Sequence, residues 1–447
     1  MTGRAKGFLD LIQAHERPDD AGDQFGGAGG SDGRGLPTGA SGNFMFATGI
    51  ECSYPTIDHG KVRRDQLEEC GHYDRWQDDL RLVQQLGLRV LRYGLPSYRM
   101  HLGPDRYDWS FADEVMAGMR RLGIIPILDL LHFGLPDWLG NFQNPELPLH
   151  FADFAGAVAD RYPWVRYYTP VNEIYVTARM SAKDGIWNEQ LTTDQGFVTA
   201  LKHLVAASIL GTQAIAKRHP NVIIVQSASA EFTHELRAVP SPEVTLKNKL
   251  RLLSLDLLYA HPPDADVSVY AFDNGLTREE YDWFMAGEPP GYQIMGNDYY
   301  GRNEQILKPD GSTCLAEDVL GWYQITRAYY DRYKKPVMHT ETNTFDAEEA
   351  PTWLWKQWVN VLRMRSDGVP VLGFTWYSLT DQIDWDVALA EKRGKINPCG
   401  LYDLERRPRP VAAAYRQLLE EFGQITIVPH GELFDVSDEP AMLKVEI

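Results

Sequence analysis

HYDRWQDDLRLVQQLGLRVLRYGL, residues 72–95, places a helix and a strand back to back. The part DRWQDDLRLVQQLG (74–87) carries a helical pattern, and LRVLRYG (88–94) is a short, largely apolar run. A strand with apolar residues on both faces suits a buried parallel sheet, whose strands are joined by crossover helices.

The same unit recurs on either side. Strand candidates are FMFATGI (44–50), IIPILDLLH (124–132), RYYTPVN (166–172), NVIIVQS (221–227), QIMGNDYY (293–300), PVMHTE (336–341) and VLGFTWYS (371–378). Helical patterns lie between them, at 112–123, 150–162, and within 194–218, 317–333, 352–367 and 411–422. Eight strand-helix units predict an α/β fold, a closed (β/α)8 TIM barrel in one domain over 44–422. An open doubly wound sheet is the alternative, but no G-x-G-x-x-G follows the first strand.

Residues 20–43 are dense in Gly, Asp and Ser and cannot build a core, so 1–43 reads as a flexible N-terminal arm. Residues 423–447 read as a C-terminal extension.

Composition narrows the partners. Of 447 residues, 44% are hydrophobic and 24% charged, as in soluble globular proteins. The formal charge of −18 argues against nucleic acid and against anionic membrane surfaces. No stretch of about 18 apolar residues predicts a membrane span. No secretory signal is read at the N-terminus, and the four scattered cysteines predict reduced thiols in a cytoplasmic protein. Twelve Trp, 22 Tyr and 17 Phe include enough rings to stack on sugars. Oligomeric state is not legible.

In a barrel of this kind the chemistry sits at the C-terminal strand ends. The second strand ends at Arg92 and the third at His132. The fourth gives Asn172-Glu173, and the sixth Asp298, Tyr299 and Tyr300. The seventh gives His339-Thr340-Glu341. The eighth gives Trp376 and Tyr377, followed by Asp381, Asp384 and Trp385. Two carboxylates on one rim, in different surroundings, suit cleavage of a glycosidic bond by an acid and a nucleophile. Arg92 is the natural cation to keep one of them ionised. A metal-dependent hydrolase is disfavoured, since no clustered His/Asp ligand set is evident on the strand ends.

Six motifs then resemble glycoside hydrolase clan A, most closely family 1, the β-glucosidase family. HYDRWQDDLRLVQQLGLRVLRYGL resembles its first-helix and second-strand stretch. LHFGLPDWL (131–139) resembles Y-H-W-D-[LT]-P-x-x-L, PVNEI (170–174) resembles T-x-N-E-P, and HTETN (339–343) resembles I-T-E-N-G. GFTWYSLTDQIDWD (373–386) and GLYDLERRPRPVAAAYRQLL (400–419) resemble the closing segments.

The resemblance implies Glu173 as acid/base and Glu341 as nucleophile. It implies Asn172, His132, Asp298, Trp376, Tyr377, Asp384 and Trp385 as sugar contacts, and Arg92 and Tyr300 as partners of Glu341. A carbohydrate is the implied partner and no cofactor is called for.

The implied activity is a retaining β-glycosidase. Transglycosylation, endo-acting cleavage or a non-catalytic sugar-binding barrel are the alternatives. Departures from the family pattern cluster around the sugar. Phe133-Gly134 replaces Trp-Asp, Glu51 stands near the place of a Gln, Pro170 falls in the fourth strand and Ile174 replaces a Pro. Tyr377 replaces a Trp, Asp384 a Glu and Asp298 an Asn. They predict altered sugar preference.

Overall fold

The computed structural model describes residues 44–425 apart from 238 and 317, together with residues 7 and 10. Almost all of the expected N-terminal arm and C-terminal extension lies outside the described residues.

Eight strands close a barrel: β1 Met45–Gly49, β2 Val90–Gly94, β3 Ile125–Asp129, β4 Tyr167–Thr169, β5 Ile223–Ser229, β6 Tyr292–Asp298, β7 Val337–Glu341 and β8 Val371–Trp376. Each pairs in parallel with its neighbours in chain order, and β8 closes on β1 through Met45–Gly373 and Thr48–Trp376. The fold is the expected (β/α)8 barrel, and the open sheet is excluded.

The quoted stretch folds as read. Helix His72–Gln85 buries Trp76, Leu80 and Val83 on its inner face. Gly87, at φ +85°, then turns the chain into β2, a backbone angle that glycine adopts without a Cβ clash. β4 is shorter than expected and ends at Thr169. Pro170 lies just beyond it, because proline has no N–H to give a sheet ladder.

Inside the barrel, Met45, Val90, Ile127, Val225, Ile294, Met338 and Leu372 form an apolar plug. Two residues further along the same faces the side chains become polar: Arg92, Asp129, Ser227 and Thr340. This change of character marks the floor of a pocket.

The outer helices pack around the strands in one large apolar cluster. The 25-residue helix Asp194–Arg218 is long and apolar enough to span a bilayer by composition, but most of it is buried against the barrel. Its apolarity serves the core.

Several elements were not anticipated. Helix Ile174–Ala182 starts directly after Glu173. Four helices, Pro242–Leu250, Leu253–Leu258, Ala265–Asp273 and Arg278–Phe284, fill the connection between β5 and β6. A small sheet of Phe232–Glu235, Glu304–Leu307 and Thr313–Leu315 lies beside them.

Candidate active site

Arg92 organises the floor of the pocket. It ends up buried because β2 aims it inward, and a buried guanidinium needs acceptors on every side. It donates to Glu341 Oε1, to Asn172 Oδ1 and, at 2.9 Å, to Asp129 Oδ2. Burial opposes its charge, but the surrounding acidic groups, Asp129 foremost, raise its pKa above the usual range.

Asp129 also lies 2.8 Å from His132 Nδ1. As acceptor, it places the imidazole proton on Nδ1 and leaves Nε2 to accept from Asn172 Nδ2 at 3.2 Å. The amide of Asn172 is therefore oriented from both ends. Asp129 was not singled out from the sequence, although a carboxylate inside the apolar run IIPILDLLH was the signal for it.

Glu341 is held twice. Arg92 grips one oxygen, and the Tyr300 hydroxyl donates to the other at 2.6 Å. Glu173 has the opposite surroundings. Burial first, then the charges of Asp298 and Glu231, push its carboxyl well above the usual carboxylate range, outweighing Arg92 and Arg179. Its backbone sits at φ +39°, in the left-handed region that non-glycine residues rarely occupy. Such strain persists where the surroundings hold it. Here the Glu173 N–H donates to the Ser227 carbonyl at 3.0 Å, and the Thr177 N–H donates to the Glu173 carbonyl at 2.8 Å.

Asp298 lies on the same wall. The Ser227 hydroxyl donates to its carboxylate. Burial raises the pKa of Asp298 too, against the pull of Arg92.

Tyr377 closes the floor opposite. Its ring lies parallel to His132 at 6.3 Å between centroids, with Arg92 5.5 Å from the ring centre. Its hydroxyl donates to the Ile50 carbonyl at 3.2 Å and lies 3.7 Å from Cys52 Sγ. A Cβ on Gly49 would fall 2.3 Å from this ring, so any side chain there would displace Tyr377. The Tyr377–Ser378 peptide bond is cis.

Trp376 points the other way. It is fully buried in the outer core, donating from Nε1 to the Cys399 carbonyl at 3.0 Å. Its expected place among the sugar contacts is thus corrected: its ring packs in the outer core, while Tyr377, the first residue beyond β8, packs on Arg92 and His132.

Asp384 is corrected as well. Both oxygens are engaged within the loop, and the side chain has no exposure to solvent. Oδ2 accepts from Arg64 at 3.0 Å and from the N–H groups of Arg393 and Gly394, and Oδ1 accepts from the Lys395 N–H at 2.8 Å. Against the penalty of burial, these donors hold its carboxyl below the usual range. Asp384 staples the loop after β8.

Trp385 keeps a place at the rim, half-buried against Phe133 and Trp187. Gly134 has a structural cause: a Cβ there would lie 2.0 Å from the Tyr54 carbonyl oxygen. Glu51 is buried, accepting from the Ser53 N–H at 2.9 Å and from Gln382 at 3.2 Å.

Cys52, Asp129 and His132 bring donor atoms within 4.8 Å of one another, a cluster the strand ends did not reveal. These groups already face each other. Cys52 Sγ lies 3.4 Å from His132 Nδ1, Asp129 is shared with Arg92, and burial pushes the Cys52 thiol far up. A metal ligand would need the thiolate and a deprotonated ring nitrogen.

The arrangement is therefore a pocket floored by an Arg-His-Asn network, with two acidic side chains of contrasting environment. Residues 23–249 match the family model described as Glycosyl hydrolase family 1. The chain belongs to glycosyl hydrolase family 1.

This family 1 chain is 22% identical over 377 residues to the β-glucosidase-like SFR2, chloroplastic, of Oryza sativa subsp. japonica, covering 75% of the chain and 54% of that protein. It is 20% identical over 385 residues to the galactolipid galactosyltransferase SFR2, chloroplastic, of Arabidopsis thaliana, covering 78% and 58%. It therefore spans little more than half the length of these plant relatives. A solved structure of the β-glucosidase from Thermotoga maritima in complex with castanospermine superposes with a TM-score of 0.71 at 17% identity, covering 85% of this chain and 97% of that one. That likeness is one of fold.

Proposed function

We propose that this chain is a retaining β-glycosidase that cleaves a terminal β-linked sugar through a covalent glycosyl-enzyme intermediate. One observation carries the reading: Glu341 is bound by Arg92 and Tyr300, while Glu173 is buried among acidic neighbours that favour its protonated form.

In the first step, Glu341 attacks the anomeric carbon. The glycosidic bond breaks, and Glu173 gives its proton to the departing oxygen. The sugar is then esterified to Glu341. In the second step Glu173, now ionised, takes a proton from water, the water oxygen bonds to the anomeric carbon, and Glu341 leaves. Two displacements restore the β configuration. Asn172, held by Arg92 and His132, presents its remaining Nδ2 hydrogen to a sugar hydroxyl.

A panel of nitrophenyl β-glycosides, with the first-formed product followed by NMR, tests this directly. Turnover giving a β-configured sugar is expected. An α-configured first product sinks the retaining mechanism.

A second reading has the same intermediate captured by a sugar or lipid hydroxyl instead of water. The similarity to a plant protein named as a galactolipid galactosyltransferase favours it. Product partition with rising acceptor concentration separates the two.

A further inference from the structure

Arg302 follows Tyr300 on the loop after β6. Its guanidinium lies 4.8 Å from the Tyr300 ring centre and 4.3 Å from that of Phe345. Among the described residues, no carboxylate comes within ion-pair distance of it and no acceptor takes its hydrogen bonds. Arg302 is half-buried, and its N–H donors are open to an anion that a ligand brings.

Tyr300 links it to the pocket: the guanidinium packs on that ring, and the Tyr300 hydroxyl donates to Glu341. A cavity of about 460 Å³ opens beside it, walled by Tyr300, Asn343, Phe345 and Trp353. Among the described residues that line the cavity, the one carboxylate is Asp318, which is engaged by Lys356 and by the Tyr299 hydroxyl.

We propose that Arg302 and this cavity receive an oxyanion, a carboxylate or a phosphate, carried on the leaving-group portion of the substrate. The proposal rests on the retaining-glycosidase reading for the direction of the substrate. The sugar occupies the Arg92-Asn172-His132 floor, and the leaving group, protonated by Glu173, points out of the barrel towards the strand-end loops, one of which carries Tyr300 and Arg302. The guanidinium offers parallel N–H donors that match a carboxylate or phosphate edge. Tyr300 and Phe345 pack against it, so less side-chain freedom is lost when the anion docks.

The test uses the full chain and three aryl β-glycosides of one sugar. They differ only in a ring substituent: carboxamide, carboxylate or phosphate. Wild type is expected to favour a charged substrate over the carboxamide, mainly in KM, and the preferred anion identifies the oxyanion. Arg302→Gln should lower that charged-to-neutral selectivity roughly tenfold or more, the range of a charge-assisted hydrogen bond, with Arg302→Lys between. A wild-type ratio near one, or a ratio that Arg302→Gln leaves alone, overturns the proposal. Calorimetric binding of the carboxylate-bearing glycoside supplies a second readout. If no glycoside is turned over, the glycosidase reading fails, and equal binding by wild type and Arg302→Gln separately overturns the role of Arg302.

Discussion

Arg64 and Asp384 meet at 3.0 Å, and neither side chain is exposed to solvent. Arg64 also grips Glu69 at 2.7 Å and the Leu389 carbonyl at 2.9 Å, so one guanidinium ties the segment after β1 to the loop after β8. The carboxylate expected to grip the sugar is a loop anchor.

That anchor predicts a stability effect. Arg64→Ala leaves Asp384 and Glu69 buried beside an empty site and should cost about 3–5 kcal/mol. Urea or thermal unfolding measures it. A loss below about 1 kcal/mol contradicts the buried network.

The same anchor predicts sugar preference. With Asp384 spent and Gly134 pressed on Tyr54, hydroxyls at the far end of a glucose unit lack the family's usual grip, and unpaired hydroxyls are costly in a closed site. A pentoside, deoxy sugar or substituted unit should outpace the plain β-glucoside in kcat/KM. A wide lead for β-glucoside across the panel refutes this.

Azide assigns the two carboxylates. Glu341→Ala should abolish turnover, with azide yielding the α-glycosyl azide. Glu173→Ala should spare activated aryl glycosides far more than substrates with poor leaving groups, and azide should yield the β-azide. Swapped azide configurations reverse the assignment.

The pH profile follows from Glu173. Its pKa is raised by burial and by Asp298, so the proton donor is competent below that pKa and is lost as pH rises through it. Asp298→Asn removes a neighbouring acidic group, lowers the Glu173 pKa, and should move the alkaline limb of kcat/KM to lower pH. An unmoved limb, with activity retained, rules out this coupling.

Gly49→Ala should harm both stability and turnover. The new methyl falls 2.3 Å from the Tyr377 ring, and overpacking of that kind costs about 1–3 kcal/mol. Unfolding curves and nitrophenyl glycoside rates together check it. A variant with wild-type stability and rate shows that Tyr377 moves freely.

Much of the fold was legible because its signals are local. The run LRVLRYG becomes β2 over Val90–Gly94, and VLGFTWYS becomes β8 over Val371–Trp376. The connection between β5 and β6 was not legible. Its four helices are short and take their stability from contacts with the barrel, not from a repeating pattern of their own.

The sequence by itself determined the eight-fold strand-helix alternation, the strand ends on which Glu173 and Glu341 stand, and the family those motifs belong to. Tertiary structure alone decided the use of each side chain around them. Trp376 and Tyr377 are neighbours in the chain, yet one packs in the outer core and the other on Arg92 and His132. Asp384 sits in a segment expected to bind the sugar, but Arg64, 320 residues earlier, claims its carboxylate. Asp129 and Arg302 acquire their roles from distant elements brought within a few ångströms. Hydrophobic periodicity is written along the chain, whereas hydrogen-bond and charge partnerships form across the barrel and exist only once it closes.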